Sequence, residues 1–189
     1  VPSHSHVPIW VQEGLVTNAR VDQMENFKHV DDQWRDPVWD PGRQYSAPWQ
    51  WGSVGVIVDT SVYSGDINTS SLVFDPPEEL IGKINVPPEM LDVIHTAVLY
   101  LGGEACTGDK DLLRKVRDKL VEAKPKWKSM DYGMIEKFAG RDVAASLYWN
   151  GAAFRAKEKN TDVRFGDPVE GYGLWADAVV LLKDAKNVE

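Results

Sequence analysis

Cysteine is almost absent from this chain. The single thiol, Cys106, excludes an intrachain disulfide and any zinc site built on several thiolates. Basic charge is also short: 21 Lys and Arg stand against 29 Asp and Glu, a formal net charge of −8. A nucleic-acid binder needs a basic patch to neutralise phosphates, so nucleic acid is not an expected partner. No apolar run approaches the roughly 18 residues needed to cross a bilayer, and membrane insertion is not expected either. The signal-peptide pattern is missing, and the chain opens Val1-Pro2-Ser3 without an initiator methionine. It therefore reads as a processed protein or as a piece of a longer one. The glycine-rich phosphate loops and the Gly-x-Ser-x-Gly nucleophile turn are missing, and the lone cysteine has no neighbouring histidine. The expectation is a protein that is not an enzyme and carries no cofactor.

What the chain does have is tryptophan: 8 Trp beside 6 Tyr and 5 Phe. At 189 residues and 43% hydrophobic, it can bury a substantial core. The indoles either fill that core or line a site. Residues 1–45 are rich in loop formers, with one short helix over Val7–Val11 that ends near Gly14. Asp31–Gly42, dense in Asp, Pro and Gly, reads as a surface connection. Gln50–Val58 reads as a buried strand whose glycines imply close backbone approach. A helical turn is expected at Pro77–Leu80 and a short strand at 83–87. A helix then opens at Pro88, with Leu91, Ile94, Val98 and Leu101 as its apolar stripe and Gly102-Gly103 as its stop. A second helix spans about Asp109–Lys124, with Leu112, Leu113, Val116, Leu120 and Val121 as its inner stripe. From Glu104 to Lys128 there are eight Lys/Arg and five Asp/Glu, net +3, which leaves −11 on the rest. This run reads as a solvated helix face. Helices over Tyr132–Ala139 and Asn150–Lys159 and strands over Asp142–Trp149, Val163–Phe165 and Leu174–Leu182 complete the pattern. Alternating helix and strand argues an α/β fold with a mostly parallel sheet.

Several residue pairs carry candidate chemistry. His4 and His6 share one side of an extended segment and suit zinc or copper, but two imidazoles are not a site. Glu89 and Asp92, three apart at a helix start, share a face. They either complement the helix dipole or clamp a cation. Trp149 closes an apolar strand, where ligands of open α/β sheets bind; it either stacks on a ligand or caps the core. Trp175 and Asp177 point to one side of a strand. An indole face beside a carboxylate attracts an ammonium group; the alternative is a structural Asp bonded to loop N–H groups.

Three blocks taken together resemble the periplasmic spermidine/putrescine-binding proteins, the solute receptors of polyamine ABC transporters. They are Tyr45-Ser46-Ala47-Pro48-Trp49-Gln50-Trp51-Gly52, Trp149-Asn150-Gly151-Ala152-Ala153-Phe154, and Glu170-Gly171 through Leu174-Trp175-Ala176-Asp177 to Asp184-Ala185-Lys186-Asn187. A weaker match is Val1-Pro2-Ser3. The resemblance covers the whole chain and implies a type II periplasmic-binding-protein fold: two α/β lobes joined by hinge strands, with the ligand in the cleft. It implies part of lobe 1 with a hinge strand in residues 1–58, a nearly complete lobe 2 in residues 59–173, and a returning hinge strand with a truncated C-terminus in residues 174–189. On this reading the chain is a fragment lacking both ends.

The resemblance also implies ligand residues. Trp149 would pack on the ligand's methylenes, Trp175 and Asp177 would hold one amino group, and Glu89 and Asp92, in exchanged order, would hold the other. Ser3 matches a lobe-1 ligand serine. The chain departs from relatives at Ser5, where an aromatic is usual, and at Ala152, where some carry Asp. Arg155, in a position uncharged in relatives, would take a carboxylate if it faced the cleft. The implied function is extracytoplasmic, periplasmic binding of a small cation such as putrescine or spermidine, with an ABC transporter permease as partner. The alternatives are an amino-acid ligand such as γ-aminobutyrate, or an isolated fragment that binds nothing.

Overall fold

The longest element is a strand, β1 (Ser46–Asp59), and its environment changes along its length. Trp49, Gln50 and Trp51 are exposed, whereas every residue from Gly52 to Asp59 is buried. The change coincides with a division of the chain into two units, residues 1–52 with 175–188 and residues 53–174. The computed structural model describes residues 1–188.

In the first unit, a short helix α1 (Val7–Gln12) ends at Gly14, which takes the left-handed φ of 65° that favours glycine. The segment 31–42, expected as a surface connection, forms single helical turns and contributes to a buried polar cluster. Asp40, Arg43 and Ser46 are all buried. The Asp40 carboxylate accepts from the Ser46 hydroxyl at 2.7 Å and from the Ser46 N–H at 2.8 Å. Arg43 donates to the Trp34 carbonyl at 2.7 Å and to the Ser46 hydroxyl at 3.0 Å, and lies over the Trp39 ring. Burial lowers the Arg43 guanidinium's pKa, and the Asp40 charge opposes that shift. Composition marked this segment as polar, but not that its charges satisfy one another internally.

In the second unit, four further strands follow the chain: β2 (Ile84–Val86), β3 (Ser129–Met130), β4 (Ala145–Trp149) and β5 (Val163–Gly166). The sheet order is β3-β2-β4-β1-β5, and β6 (Leu174–Val180) also pairs with β1. β2 runs parallel to β3 and β4, but β1 is antiparallel to β4 and β5. The sheet is therefore mixed, not mostly parallel. Alternation of helix and strand does not fix the direction of a strand whose partners lie about ninety or more residues away, as Val58 with Ala145. The close approach expected at the β1 glycines is present: a Cβ on Gly55 would lie 2.4 Å from the Phe165 ring and 2.6 Å from the Gly166 carbonyl oxygen.

The helices of this unit are α2 (Ser71–Phe74), α3 (Met90–Tyr100), α4 (Lys110–Ala123), α5 (Met134–Ala139) and α6 (Asn150–Lys159). α4 is capped by Asp109, whose carboxylate accepts from the N–H groups of Asp111 and Leu112. The core joins Ile57 of β1 to Met134 and Phe138 of α5, Tyr148 of β4 and Ala152, Ala153 and Ala156 of α6. The alanines let α6 lie close to its neighbours. Both expected helix stripes hold only in part: Val98 of α3 and Val116 of α4 are buried as expected, but other members are not. Leu91 of α3 is 62% exposed, while Val93, Thr96 and Ala97 are buried. On α4, Leu113 and Val121 are exposed and Val116 and Ala123 are buried. Small residues seat these helices, which a search for large apolar side chains passes over.

Candidate functional site

The residues singled out from the sequence fall into two sets, one in each unit. The first is at the start of α3. Glu89 occupies the N-cap position, where Ser, Thr, Asp or Asn would normally accept from the helix's free N–H groups. Its side chain makes no such capping bond. Instead it accepts from the Tyr132 hydroxyl in a short hydrogen bond. Asp92, one turn into α3, accepts from the indole N–H of Trp149 at 2.8 Å. Trp149 stands at the end of β4 and the start of α6. Its ring lies near-parallel to Tyr132, with centroids 6.4 Å apart, and edge-on to Tyr148 at 4.7 Å. Pro88, expected as the first helical residue, lies before the helix, which begins at Met90. The shared face of Glu89 and Asp92 is nonetheless present, and each acid has an aromatic donor.

Tyr132 was not identified from the sequence. It sits in the turn between β3 and α5, 43 positions from Glu89. Only the dipeptide Asp131-Tyr132, an acid and an aromatic just before a glycine, hinted at it. The turn is held firmly. Asp131 accepts from the Gly133 N–H at 2.8 Å, from Asn85 at 3.3 Å and from Lys137 in a short ion pair. The Lys137 bond, first, and the Gly133 bond hold the Asp131 carboxyl below its ordinary pKa. The Tyr148 hydroxyl donates to the Tyr132 carbonyl at 3.1 Å. The bond to Glu89 raises the Tyr132 phenol's pKa, because ionisation would set two anions together.

The second set lies in the other unit. Ser3 and Asp177 form an isolated antiparallel bridge, and the Ala178 N–H donates to the Pro2 carbonyl at 2.9 Å. Asp177 is half-buried and accepts from the Gln50 amide at 2.9 Å. Gln50 was not identified as a site residue; it belongs to the Tyr45–Gly52 block quoted above. Trp175 is half-buried, and its indole nitrogen is buried without a hydrogen-bond partner among the described residues. The structure thus gathers Ser3, Trp175 and Asp177 along β6, and Glu89, Asp92 and Trp149 about α3. Arg155 stands apart, exposed on α6, where its charge counters the upward shift that burial imposes on the Tyr148 phenol.

His4 is not placed as a metal ligand. Its Nδ1 lies 3.2 Å from the Ala176 carbonyl and 3.3 Å from the Ala176 N–H, and its ring packs on Trp39. Among the described residues no group of three or more His, Cys, Asp or Glu could hold a metal ion. No helix among them is long and apolar enough to cross a membrane.

No family model matches the chain. Individual relatives do. The chain is 26% identical over 189 residues to the spermidine/putrescine-binding periplasmic protein 1 of Haemophilus influenzae, covering all of this chain and 52% of that protein. The structure of a spermidine/putrescine ABC transporter protein from Listeria monocytogenes superposes with a TM-score of 0.90 at 27% identity, over 100% of this chain and 58% of that one. The substrate-binding protein PotD of Streptococcus pneumoniae shares the fold, with a TM-score of 0.84 at 23% identity over 99% of this chain and 58% of its own. The chain spans about half the length of the curated relatives it matches. These relatives are named as binding proteins of transport systems, not as enzymes. In sequence along its whole length, and in its mixed α/β fold, the chain is similar to the spermidine/putrescine-binding periplasmic proteins.

Proposed function

We propose that this chain binds a polyamine such as putrescine or spermidine, as the extracytoplasmic, periplasmic solute-binding component of an ABC transporter with a membrane permease as its partner. One observation carries the reading: in a chain similar throughout to polyamine-binding proteins, carboxylates stand beside aromatic rings in both units. A polyamine offers cationic ends and an apolar chain, and these groups match both. Glu89 and Asp92 take one ammonium group, and Asp177 beside Trp175 takes another. Trp149 covers methylenes, and Ser3 adds a polar contact. Residues 59–173 serve as most of a second lobe and residues 1–58 as part of a first, with β1 and β6 as hinge strands. The chemistry is binding without turnover.

The test is thermal stabilisation of the protein encoded by the reading frame that contains these residues. The ligands are putrescine, spermidine, spermine and γ-aminobutyrate, with dissociation constants by calorimetry. Raised melting temperature with the polyamines is expected, since a ligand bound only by the folded state stabilises it. Stabilisation by none of them overturns the reading. Preference for γ-aminobutyrate would put the exposed Arg155 guanidinium on a ligand carboxylate instead.

A further inference from the structure

We infer that Tyr132 is a specificity-determining residue that works through Glu89, making the acid pair at the start of α3 selective for ligands with two amino groups. This rests on the polyamine reading and adds to it a residue and its mode of action. Four observations lead there. Glu89 holds an N-cap position but makes no capping bond, so helix capping does not account for its side chain. Its carboxylate accepts from Tyr132 instead. Tyr132 is 56% exposed, so burial does not account for the ring's place. Its turn is nevertheless tied down on both sides, by Asp131 to Asn85, Gly133 and Lys137 and by the Tyr132 carbonyl to Tyr148.

An exposed hydrogen bond between two long side chains is ordinarily weak, because ordering them offsets the gain. Here the turn is already ordered, so less freedom is lost when the phenol meets the carboxylate. A phenol has one proton to donate, and a carboxylate has two oxygens. Tyr132 therefore orients Glu89 through one oxygen and leaves the other to accept from an ammonium group. The same ring lies near-parallel to Trp149, whose N–H fixes Asp92. Both acids are thus positioned by the two rings that form the apolar wall beside them. On the polyamine reading the acid pair takes the second amino group of a diamine, a group that a monoamine lacks. Orientation of Glu89 consequently bears on diamines more than on monoamines.

The experiment is calorimetry with putrescine and with butylamine on four forms of the encoded protein: wild type, Tyr132→Phe, Glu89→Gln and the double variant. Tyr132→Phe keeps the ring and removes only the hydroxyl. It is expected to weaken putrescine about ten-fold, the size of one hydrogen bond to a charged group, and butylamine less than about two-fold. In the Glu89→Gln background, the same substitution should change putrescine affinity less than about two-fold, because the charged carboxylate that Tyr132 orients is gone. Equal losses for the two amines overturn the role, and so does a Tyr132→Phe loss that persists undiminished in Glu89→Gln. A wild-type protein that binds no polyamine overturns the proposed function and this role with it. Polyamine binding with an unmoved putrescine-to-butylamine ratio overturns this role alone.

Discussion

In residues 53–174, both acids at the start of α3 accept from aromatic donors, and one donor sits on a turn held at several points. In the other unit, Asp177 accepts from the exposed amide of Gln50, and the Trp175 indole nitrogen has no partner among the described residues. The same pairing of carboxylate and ring is thus built with different degrees of preorganisation. The first set is ordered by its own hydrogen bonds, and on the proposed reading that geometry selects what fits. At the second, the carboxylate is engaged by an exposed neutral amide, which on the proposed reading a charged ligand displaces. A cation there gains more from Asp177 than the amide does, since hydrogen bonds to charged groups are stronger.

The comparison can be broken at each end. The largest effect is expected at Asp177: replacement by Asn in the encoded protein should weaken polyamine binding by about 2–5 kcal/mol, because a desolvated ammonium is left without a counter-charge. An unchanged dissociation constant by calorimetry would remove Asp177 from the site. Replacing Glu89 by Gln and Asp92 by Asn together should reduce affinity for diamines more than for monoamines; equal losses would dissolve the paired clamp. Trp149→Phe keeps an aromatic wall but takes the donor from Asp92, and should cost about 1 kcal/mol of binding. Gln50→Ala should change it by less than about 0.5 kcal/mol. If these last two losses are equal, the contrast in preorganisation is wrong.

A third acid sharpens the contrast, because it serves the fold alone. Asp59, 1% exposed at the end of β1, accepts from the Asn160 amide at 2.8 Å, from Ser61, and from Arg141 at 3.2 Å. Burial pushes its carboxyl pKa up, but these donors together bring it below the ordinary value. A lowered folded value means a contribution to stability that is present above the ordinary aspartate range. It is lost as pH falls through the folded value. Asp59→Asn should therefore lower the urea midpoint near neutral pH and flatten its decline in acid. A variant with an unchanged acid limb would show that Asp59 does not carry it.

The sequence disclosed the elements better than their arrangement. α6 runs over Asn150–Lys159 as its composition predicts, and the strand around Val56 is buried with glycine at the closest approach. The inner faces of α3 and α4 were found at Val98 and Val116 but otherwise shifted, because Thr96, Ala97 and Ala123 take buried positions that large apolar residues were expected to fill. The direction of β1 was not legible, since its pairing depends on distant partners. Glu89, Asp92, Trp149, Trp175 and Asp177 could be named because each belongs to a local pattern. Tyr132 and Gln50 could not, because each acts across a long sequence separation, 43 residues to Glu89 and 127 to Asp177. Arg43 shows the same limit in the core: a turn-rich stretch disguises a charge that is almost wholly enclosed.

The tryptophans also give the protein a built-in spectroscopic label. The indole proton of Trp149 faces a carboxylate, that of Trp127 faces the Val73 carbonyl at 2.8 Å, and that of Trp175 faces no acceptor among the described residues. Three electronic environments imply three separated signals in the crowded indole region of a nitrogen–proton correlation spectrum, even among eight Trp. The Trp149 resonance reports on its hydrogen bond to the Asp92 carboxylate. Titrating polyamine while following that one peak would test the proposed occupancy of the α3 acid pair without any added probe.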